Sequence, residues 1–211
     1  MSIIMKNKLI HDISSLWNSF NYDNNISSEE FEQLNQYHDL LKKWSKKLNL
    51  ISLKNPNEIY FQIIDSLALA PFFKSTSNID IGSGNGFPAI PLSILNKETD
   101  FFLVEPRKKR VSFLSYVKST LDLKNITIIS QRIEDFSKKN IVTETISSKA
   151  FASPEKIQEI SFKLLKKNGK IYMLLSENQK FNLLESKYCV TLTKDYKVFD
   201  KNRKIVILNK S

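Results

Sequence analysis

The stretch that most restricts the fold of this chain lies between Ile79 and Pro91, where the sequence reads IDIGSGNGFPAIP. It holds three of the four glycines in the protein, Gly82, Gly84 and Gly86. The apolar run before the glycines is typical of a short strand, and the apolar spacing after them is typical of a buried helix. Glycines at alternate positions allow positive φ angles and let a ligand approach the backbone. The stretch therefore predicts a strand-to-helix turn, which is where open α/β sheets bind ligands.

The spacing of the glycines narrows the class of ligand. It is G-x-G-x-G rather than the G-x-G-x-x-G of dinucleotide folds, and no Gly-Lys-Ser/Thr follows, which argues against a P-loop. Asp80 places a carboxylate two residues before the first glycine. A carboxylate repels pyrophosphate but attracts an ammonium or sulfonium group. The turn therefore favours S-adenosylmethionine as cofactor, with contacts at Asp80, Gly82, Gly84 and Gly86.

A second acidic residue follows the next predicted strand. Asp100 to Val104 is a mainly apolar run, and Glu105 comes directly after it. A carboxylate at the end of the second strand can accept hydrogen bonds from both hydroxyls of a ribose. The alternative is an ordinary acid that pairs with Arg107 or Lys108. Strand, glycine turn, helix, strand and acid follow one another in the order that a cofactor site requires, so Glu105 favours the cofactor interpretation.

Length and composition limit the class of protein further. The 211 residues suit one α/β domain with an added element. The single cysteine, Cys189, excludes an intramolecular disulfide, and the two histidines are too far from it to indicate zinc, so no metal is expected. No apolar run reaches the roughly 18 residues of a membrane span, and the first residues do not resemble a signal peptide. A cytoplasmic protein is expected.

The formal net charge of +10 indicates either a polyanionic partner or a compositional bias toward lysine. Two basic groups are candidates for contacting nucleic acid. The first is a lysine-rich helix face, for which a solvated surface is the alternative: Lys42, Lys43, Lys46 and Lys47. The second group, Arg107, Lys108, Lys109 and Arg110, begins a helix at the ligand-binding edge of the predicted sheet.

The other predicted elements surround this unit. Ser27 to Glu30 resembles a capping box that begins an amphipathic helix. Trp44 on this helix is expected to belong to the core, with a base-stacking platform as the alternative. Asn55-Pro56 is expected to begin a second helix that Pro71 ends. A further helix is expected to stop at Asn168-Gly169. Later strands are predicted at residues 125–130, 144–148, 170–175, 188–194 and 204–208, the last two as an antiparallel pair. We expect a helical extension over residues 1–74, packed on a Rossmann-like domain over residues 75–211.

Six segments carry a resemblance to a known family, and they run from about Leu40 to Ser153. They are LLKKWSKKLNLIS, IIDSLALAPFF, IDIGSGNGFPAIPLSI, EPRKKRVSFL, QRIEDF and SKAFAS. Together they resemble the bacterial 16S ribosomal RNA guanine-N7 methyltransferases, also called glucose-inhibited division protein B. The glycine turn is general, whereas the F-P-A-I-P tail and the A-F-A-S segment are specific to this family.

The resemblance implies a class I S-adenosylmethionine-dependent methyltransferase, with a mostly parallel seven-stranded sheet and helices on both faces. It implies methylation at N7 of a guanine of the 527 type in 16S ribosomal RNA, within the small subunit or a precursor, by a monomer. It also implies cofactor contacts at Gly82, Phe87, Ile133 and Glu134, and at the basic residue of the A-F-A-S segment, which is Lys149 here.

The sequence departs from the family pattern at three places. Lys149 stands where arginine is usual, and lysine lacks the planar bidentate fork of arginine. Gln62 stands where histidine is usual, and Leu175-Ser176 replaces a usual Lys-Gly. A cofactor-binding RNA-binding protein without turnover is therefore an alternative. A small-molecule methyltransferase and a nicotinamide dehydrogenase are disfavoured, by the family-specific segments and by the glycine spacing respectively.

Guanine N7 carries a free lone pair and no proton, so its methylation needs alignment and electrostatics rather than a strong general base. Lys149 and Asp80 are the catalytic candidates. For Lys149 the alternative is a solvated lysine whose stem packs beside Phe151. The candidate RNA contacts are Arg107, Lys108, Lys109, Arg132 and Arg203.

Overall fold

The computed structural model describes the backbone of residues 3–136 and 141–211 and the side chains of residues 8–136 and 141–211. The strands are β1 (Ser77–Ile81), β2 (Asp100–Val104), β3 (Ile126–Ile129), β4 (Thr143–Lys149), β5 (Leu165–Ser176), β6 (Tyr188–Val198) and β7 (Lys201–Lys210). They form one sheet in the order β3-β2-β1-β4-β5-β7-β6, in which β7 runs antiparallel to both of its neighbours and the other pairs are parallel. The predicted mostly parallel seven-stranded sheet is confirmed.

Helices cover both faces of the sheet. They are α1 (Ile3–Asn18), α2 (Ser28–Leu48), α3 (Glu58–Leu67), α4 (Ala89–Leu95), α5 (Lys108–Thr120), α6 (Ile133–Phe136) and α7 (Pro154–Leu164), with a 3-10 turn at Ala70–Phe72. The capping box of α2 is confirmed, because the Ser27 hydroxyl accepts from the Glu30 backbone and the Glu30 carboxylate accepts from the Ser27 backbone. The helix α1 lies within the expected helical extension, where no individual helix is predicted before Ser27.

The helix α3 begins later than Asn55-Pro56 predicts. The Asn55 side chain accepts a hydrogen bond from the backbone of Asn57 at 2.9 Å, and the Asn55 carbonyl accepts one from Glu58 at 3.1 Å. Asn55 therefore closes a turn that precedes the helix instead of capping the helix itself. At the other end, the regular helix stops at Leu67 and the 3-10 turn that contains Pro71 follows it.

The prediction of a helix stop at Asn168-Gly169 is wrong. The helix α7 already ends at Leu164, and both residues lie in the first part of β5. Thr143 pairs with Leu165 and Thr145 with Lys170, so residues 166–169 form an irregularity in the β4–β5 pairing. Asn168 has a φ of 61°, and a Cβ on Gly169 would lie 2.8 Å from the carbonyl of Glu144. The Asn-Gly pair thus permits close backbone approach in a strand.

The helices before β1 share a core with one face of the sheet. Buried residues of α1, α2 and α3 form one apolar cluster with α4, α5 and side chains of β2 and β5, whereas α6 and α7 cover the opposite face. Trp17 ties α1 to α3, because its indole N–H donates to the carbonyl of Leu67 at 2.9 Å. The helical extension thus packs on the sheet. The predicted boundary between the extension and the Rossmann-like domain near residue 74 stays a prediction. Met1 and Ser2 lie outside the described residues.

Across 3–136 and 141–211, no helix combines the length and apolar character needed to cross a membrane. The same residues contain no group of three or more His, Cys, Asp or Glu side chains that could hold a metal ion.

Candidate cofactor and substrate site

The glycine turn joins β1 to α4 and is fixed to the end of β2. The three glycines have φ angles of 68° at Gly82, 58° at Gly84 and 96° at Gly86, all in the left-handed region. The backbone N–H groups of Gly82 and Ser83 donate to the carbonyl of Val104 at 3.0 and 3.1 Å. The prediction of a strand-to-helix turn is confirmed, and the turn lies at the carboxyl edge of the parallel strands.

The three glycines differ in what covers them. A Cβ on Gly82 would overlap the ring of Phe151, and a Cβ on Gly86 would overlap the side chain of Ile90. The nearest atom to a Cβ on Gly84 is a guanidinium nitrogen of Arg110, at 3.4 Å. Gly82 and Gly86 therefore serve close packing within the protein. Gly84 is the glycine of this turn over which a ligand has room to approach.

Asp80, at the end of β1, is a buried carboxyl group with one unused oxygen. Its Oδ1 accepts a hydrogen bond from the Ser147 hydroxyl at 2.6 Å, whereas Oδ2 has no hydrogen-bond partner among the residues that the structure describes. Burial, with a smaller effect of the nearby charge of Glu105, raises the pKa of Asp80 to about 7 despite the hydrogen bonds of serine hydroxyls, which lower it. Such a group gains from a cationic ligand, since a buried carboxylate without a counterion is unfavourable.

Glu105 connects the glycine turn to the start of α5. Its Oε2 accepts from the backbone N–H of Gly84 at 2.8 Å, and its Oε1 accepts from that of Arg107 at 2.9 Å. The side chain of Arg110 approaches Oε2 at 3.8 Å. Glu105 thus binds the backbone of Arg107 rather than its side chain, and each carboxylate oxygen keeps a further lone pair for a ligand hydroxyl.

A cavity of about 240 Å³ opens next to the turn, between the ends of β2 and β4 and the start of α6. Three of the predicted cofactor residues line it, namely Gly82, Ile133 and Glu134. Ala150, in the A-F-A-S segment, has a φ of 54°, and Phe151 after it covers Gly82. Glu134 forms an ion pair with Lys156 at 3.4 Å. An apolar wall with acidic and basic groups at its rim suits a nucleoside.

A second cluster of buried charges centres on Asp65, a residue that the sequence does not single out. Asp65 is fully buried, and its two oxygens accept from Arg203 at 2.9 and 3.0 Å and from the Tyr196 hydroxyl at 2.5 Å. Lys149 lies 2.7 Å from Oδ2. Burial alone would raise the pKa of Asp65, but the charge of Lys149 and the hydrogen bonds of Arg203 hold it below its usual value.

Lys149 is not the solvated lysine of the alternative interpretation, which is wrong. Its side chain is 7% exposed, and its ammonium lies 5.4 Å from the ring centre of Phe87 and 5.8 Å from that of Phe61. Burial lowers the pKa of Lys149, and the charge of Asp65 opposes this effect. Lys149 therefore joins the Asp65 cluster to Phe87, the predicted cofactor contact directly after the glycine turn.

The predicted RNA contacts separate into two groups. Arg107, Lys108 and Lys109 are exposed at the beginning of α5, and Arg132 is exposed at the rim of the cofactor cavity. Arg203 is different, because its side chain is 12% exposed and its guanidinium is held by Asp65. The structure thus places four of the five basic candidates on the surface at one edge of the sheet, and it assigns Arg203 to the interior.

The three departures from the family pattern lie around Asp65. Lys149 pairs with Asp65 directly. Gln62 lies three residues earlier on α3, where its side-chain amide donates to Glu58 at 2.7 Å. Ser176 pairs with Arg203 across β5 and β7. These substitutions therefore concern one cluster, whereas the glycine turn is untouched by them.

The fold and the glycine-turn site define a class I S-adenosylmethionine-dependent methyltransferase. The chain is similar to the solved structure of M. jannaschii TYW2 in complex with AdoMet, with a TM-score of 0.53, 17% identity and coverage of 71% of this chain and 75% of that one. It is also similar to TrmN from Thermus thermophilus, with a TM-score of 0.56, 15% identity and coverage of 79% and 53%. At such low identity these likenesses show the fold alone.

Sequence comparisons then identify the family. A family model described as GidB, rRNA small subunit methyltransferase G, matches residues 30–206. Proteins named ribosomal RNA small subunit methyltransferase G are 37% identical in Vibrio campbellii, over 72% of this chain and 72% of that protein, and 33% identical in Desulfitobacterium hafniense, over 88% and 83%. A relative of that name in Helicobacter pylori is 44% identical, over 64% of this chain and 76% of that protein. The chain belongs to the rRNA small subunit methyltransferase G family.

Proposed function

We propose that this enzyme transfers a methyl group from S-adenosylmethionine to N7 of a guanine in 16S ribosomal RNA, at the 527 type of site. The observation that carries the proposal is the unpartnered Oδ2 of Asp80 in the strand that leads into the glycine turn, at a sheet edge that also displays basic side chains. The names of the relatives supply the substrate class. Because bacterial small subunits are assembled in the cytoplasm, we place the reaction there.

The cofactor-side residues fit S-adenosylmethionine group by group. Asp80 is suited to the ammonium of the methionine part, since its free oxygen lacks only a cationic donor. Gly84 lets the ligand lie against the backbone, and Glu105 keeps lone pairs for ribose hydroxyls. Ile133 and Glu134 line the cavity beside the turn, where an adenine would be enclosed. When bound, the cofactor supplies an electrophilic methyl group on a sulfonium sulfur.

The exposed basic residues suit the RNA backbone. Arg107, Lys108 and Lys109 lie at the start of α5, directly after Glu105. Cations in the first turn of a helix are unfavourable for its dipole, and phosphate binding is a reason to retain them. Contacts of this kind weaken as salt rises, so RNA affinity is expected to fall steeply between 50 and 200 mM salt.

The residues near the transfer point act by alignment and charge. Guanine N7 offers a lone pair and holds no proton, so no side chain has to remove one. Lys149 is held in place by its ion pair with Asp65 at 2.7 Å. An ammonium has three N–H donors, so those that do not face Asp65 are available to an acceptor on the cofactor or the base. We assign Lys149 a role in aligning substrate.

The proposal is tested by incubating the protein with unmethylated small ribosomal subunits and labelled S-adenosylmethionine, and by mapping the modified base. We expect one labelled N7-methylguanine. Asp80→Asn should lose most of the activity through weaker cofactor binding, whereas Lys124→Ala, at a strongly exposed site, should match the unmodified protein. Binding of cofactor and RNA without methyl incorporation would instead favour the alternative of an RNA-binding protein without turnover.

Lys149 is tested in the same assay under single-turnover conditions. Lys149→Arg should keep or raise the rate, because arginine retains the charge and adds a fork. Lys149→Ala should reduce the rate of methyl transfer more than the affinity for cofactor, as expected of an interaction made mainly in the transition state. An unchanged rate in Lys149→Ala would remove this residue from the site.

A further inference from the structure

A cleft of about 300 Å³ lies on the outer surface between α2 and α5. It is lined by Lys43, Trp44, Lys47, Leu48 and Tyr116, and we call it the Trp44 cleft. The Trp44 ring lies 5.4 Å from that of Tyr116 and 5.5 Å from that of the buried Phe113. The expectation that Trp44 belongs to the core is thus only partly right. One part of the indole packs on Phe113, and another part lines an open surface.

The Trp44 cleft joins an aromatic floor to a basic rim. Tyr116 is 43% exposed and has the partly buried Trp44 as its neighbour. Lys43 and Lys47 lie one turn apart on α2 and line the cleft, and none of the described residues that line it is acidic. An aromatic platform flanked by cations matches a nucleotide, whose base stacks while its phosphate binds the cations.

Each helix that lines the cleft belongs to a segment with a contact to the glycine turn. On α5, Tyr116 follows Arg110 by six residues, which is about 9 Å along a helix, and Arg110 is the side chain next to Gly84. After α2, the carbonyl of Leu50 accepts a hydrogen bond from the Asn85 side chain at 2.6 Å. The cleft therefore lies on the two helices that are anchored to the glycine turn.

We propose that the Trp44 cleft binds an unpaired nucleotide of the RNA substrate, close to the methylated guanine. The base stacks on Trp44 and Tyr116, and the backbone phosphate lies between Lys43 and Lys47. Sequence-specific and structure-specific recognition of RNA commonly uses splayed single-stranded bases on aromatic side chains. The inference rests on the proposed function for its choice of RNA as the ligand, and on the geometry of the cleft for its position.

Tryptophan fluorescence tests the stacking directly with a single-stranded uridine dodecamer as the probe. The protein has two tryptophans, and Trp17 is buried with its indole bonded to Leu67, so a stacking signal should come from Trp44. We expect quenching in the unmodified protein and none in Trp44→Phe, which keeps an aromatic ring. An abasic oligonucleotide of equal length should leave the emission unchanged, since it offers phosphates without bases.

Tyr116 supplies the matched pair of variants, because its exposure makes both easy to accommodate. Tyr116→Phe should bind the dodecamer as the unmodified protein does, and Tyr116→Ala should bind it about tenfold more weakly, the effect of losing one stacking partner. In the methylation assay, Tyr116→Ala should raise the KM for small subunits by a similar factor and leave cofactor affinity unchanged.

The outcomes separate the cleft from the enzymatic proposal. Quenching that depends on Trp44, in a protein that does not methylate small subunits, would support the cleft and overturn the proposed function. Methylation with an unchanged KM in Tyr116→Ala, or equal binding of ordinary and abasic oligonucleotides, would overturn the cleft. A dimer in sedimentation that Tyr116→Ala dissociates would also overturn it, because a second copy would then be the occupant.

Discussion

Asp65 and Asp80 are both buried carboxyl groups, and the structure treats them in opposite ways. Asp65 has Lys149, Arg203 and Tyr196 as partners, and its pKa lies below the usual value because Lys149 and Arg203 outweigh the effect of burial. Asp80 receives the Ser147 hydroxyl on one oxygen only, and burial raises its pKa to about 7. The described residues thus give Asp65 cationic partners on both oxygens, whereas they give Asp80 no cationic partner.

The partners of these two carboxyl groups indicate which part of the site is complete before a ligand binds. The Asp65 cluster joins α3, β4, β6 and β7 and holds Lys149 in a fixed position. A cationic partner would favour the ionised form of Asp80, so Asp80 is expected to couple the glycine turn to the cofactor. The predictions below test this comparison in order of expected effect.

The largest effect is expected from Asp65→Asn, which leaves Lys149 and Arg203 buried without their counterion. Breaking a buried ion pair in this way costs about 3–5 kcal/mol of unfolding free energy. Urea denaturation at pH 8 measures it. The matched control is Asp80→Asn, which removes a carboxylate that lacks a counterion and should cause no loss at this pH. Equal losses in the two variants would contradict the comparison.

The pH dependence of stability should differ in sign between the two carboxyls. The raised pKa of Asp80 means that the folded state binds a proton more tightly than the unfolded state, so its contribution to stability falls as pH rises from about 4 to about 7. The lowered pKa of Asp65 means the reverse, since its contribution is present above the unfolded pKa and is lost as pH falls through the folded pKa.

The second prediction concerns cofactor binding as a function of pH. An ammonium binds the ionised form of Asp80, so the Kd for S-adenosylmethionine should rise about tenfold for each pH unit below about 7 and level off above it. Titration calorimetry in buffers of different ionisation enthalpy should also show proton release near pH 6. Asp80→Asn should abolish the slope. A Kd that is constant between pH 5 and 8 would show that Asp80 does not bind the ammonium.

The same contrast shows what the sequence can predict. The glycine turn, Asp80 and Glu105 lie within 27 residues and follow strand and turn signals, so local pattern was enough to bring them together. The Asp65 cluster is closed by Tyr196 and Arg203, which are 131 and 138 residues away. A charged residue inside the apolar segment IIDSLALAPFF is the one local signal that could have pointed to it.

The errors in secondary structure have a similar origin. Asn-Gly indicates a helix stop and a strand irregularity equally well, and the pairing of β5 with β4 decides between them. Trp44 satisfies the helical periodicity of a core residue, but whether its outer side is covered depends on where α5 lies. In both cases the answer depends on a neighbour distant in sequence.

The third prediction uses Glu105, which binds the turn and also raises the pKa of Asp80 through its charge. Glu105→Ala should weaken cofactor binding by about 1–3 kcal/mol, the range for a lost hydrogen bond to a charged group. Glu105→Gln keeps an acceptor oxygen but removes the charge, so the pH midpoint of binding should move below about 7. Calorimetry across pH measures both effects, and unchanged affinity in Glu105→Ala would leave Glu105 with a structural role alone.

The smallest effect is expected from Ser147→Ala, which should shift the pH midpoint of cofactor binding in the direction opposite to Glu105→Gln. Ser147 is the hydroxyl donor to Oδ1 of Asp80, and its hydrogen bond lowers the pKa of Asp80 against the effect of burial. Without it, the pH midpoint of cofactor binding should rise above about 7, while affinity at pH 9 changes little because Asp80 is ionised there.

Tyr196→Phe is the matched control, since it removes the corresponding hydroxyl from Asp65. Asp65 retains Arg203 and Lys149 in that variant, so the midpoint should stay unchanged and the unfolding free energy should fall by about 1 kcal/mol. A midpoint that moves in Tyr196→Phe but not in Ser147→Ala would mean that the proton taken up near neutral pH belongs to the Asp65 cluster.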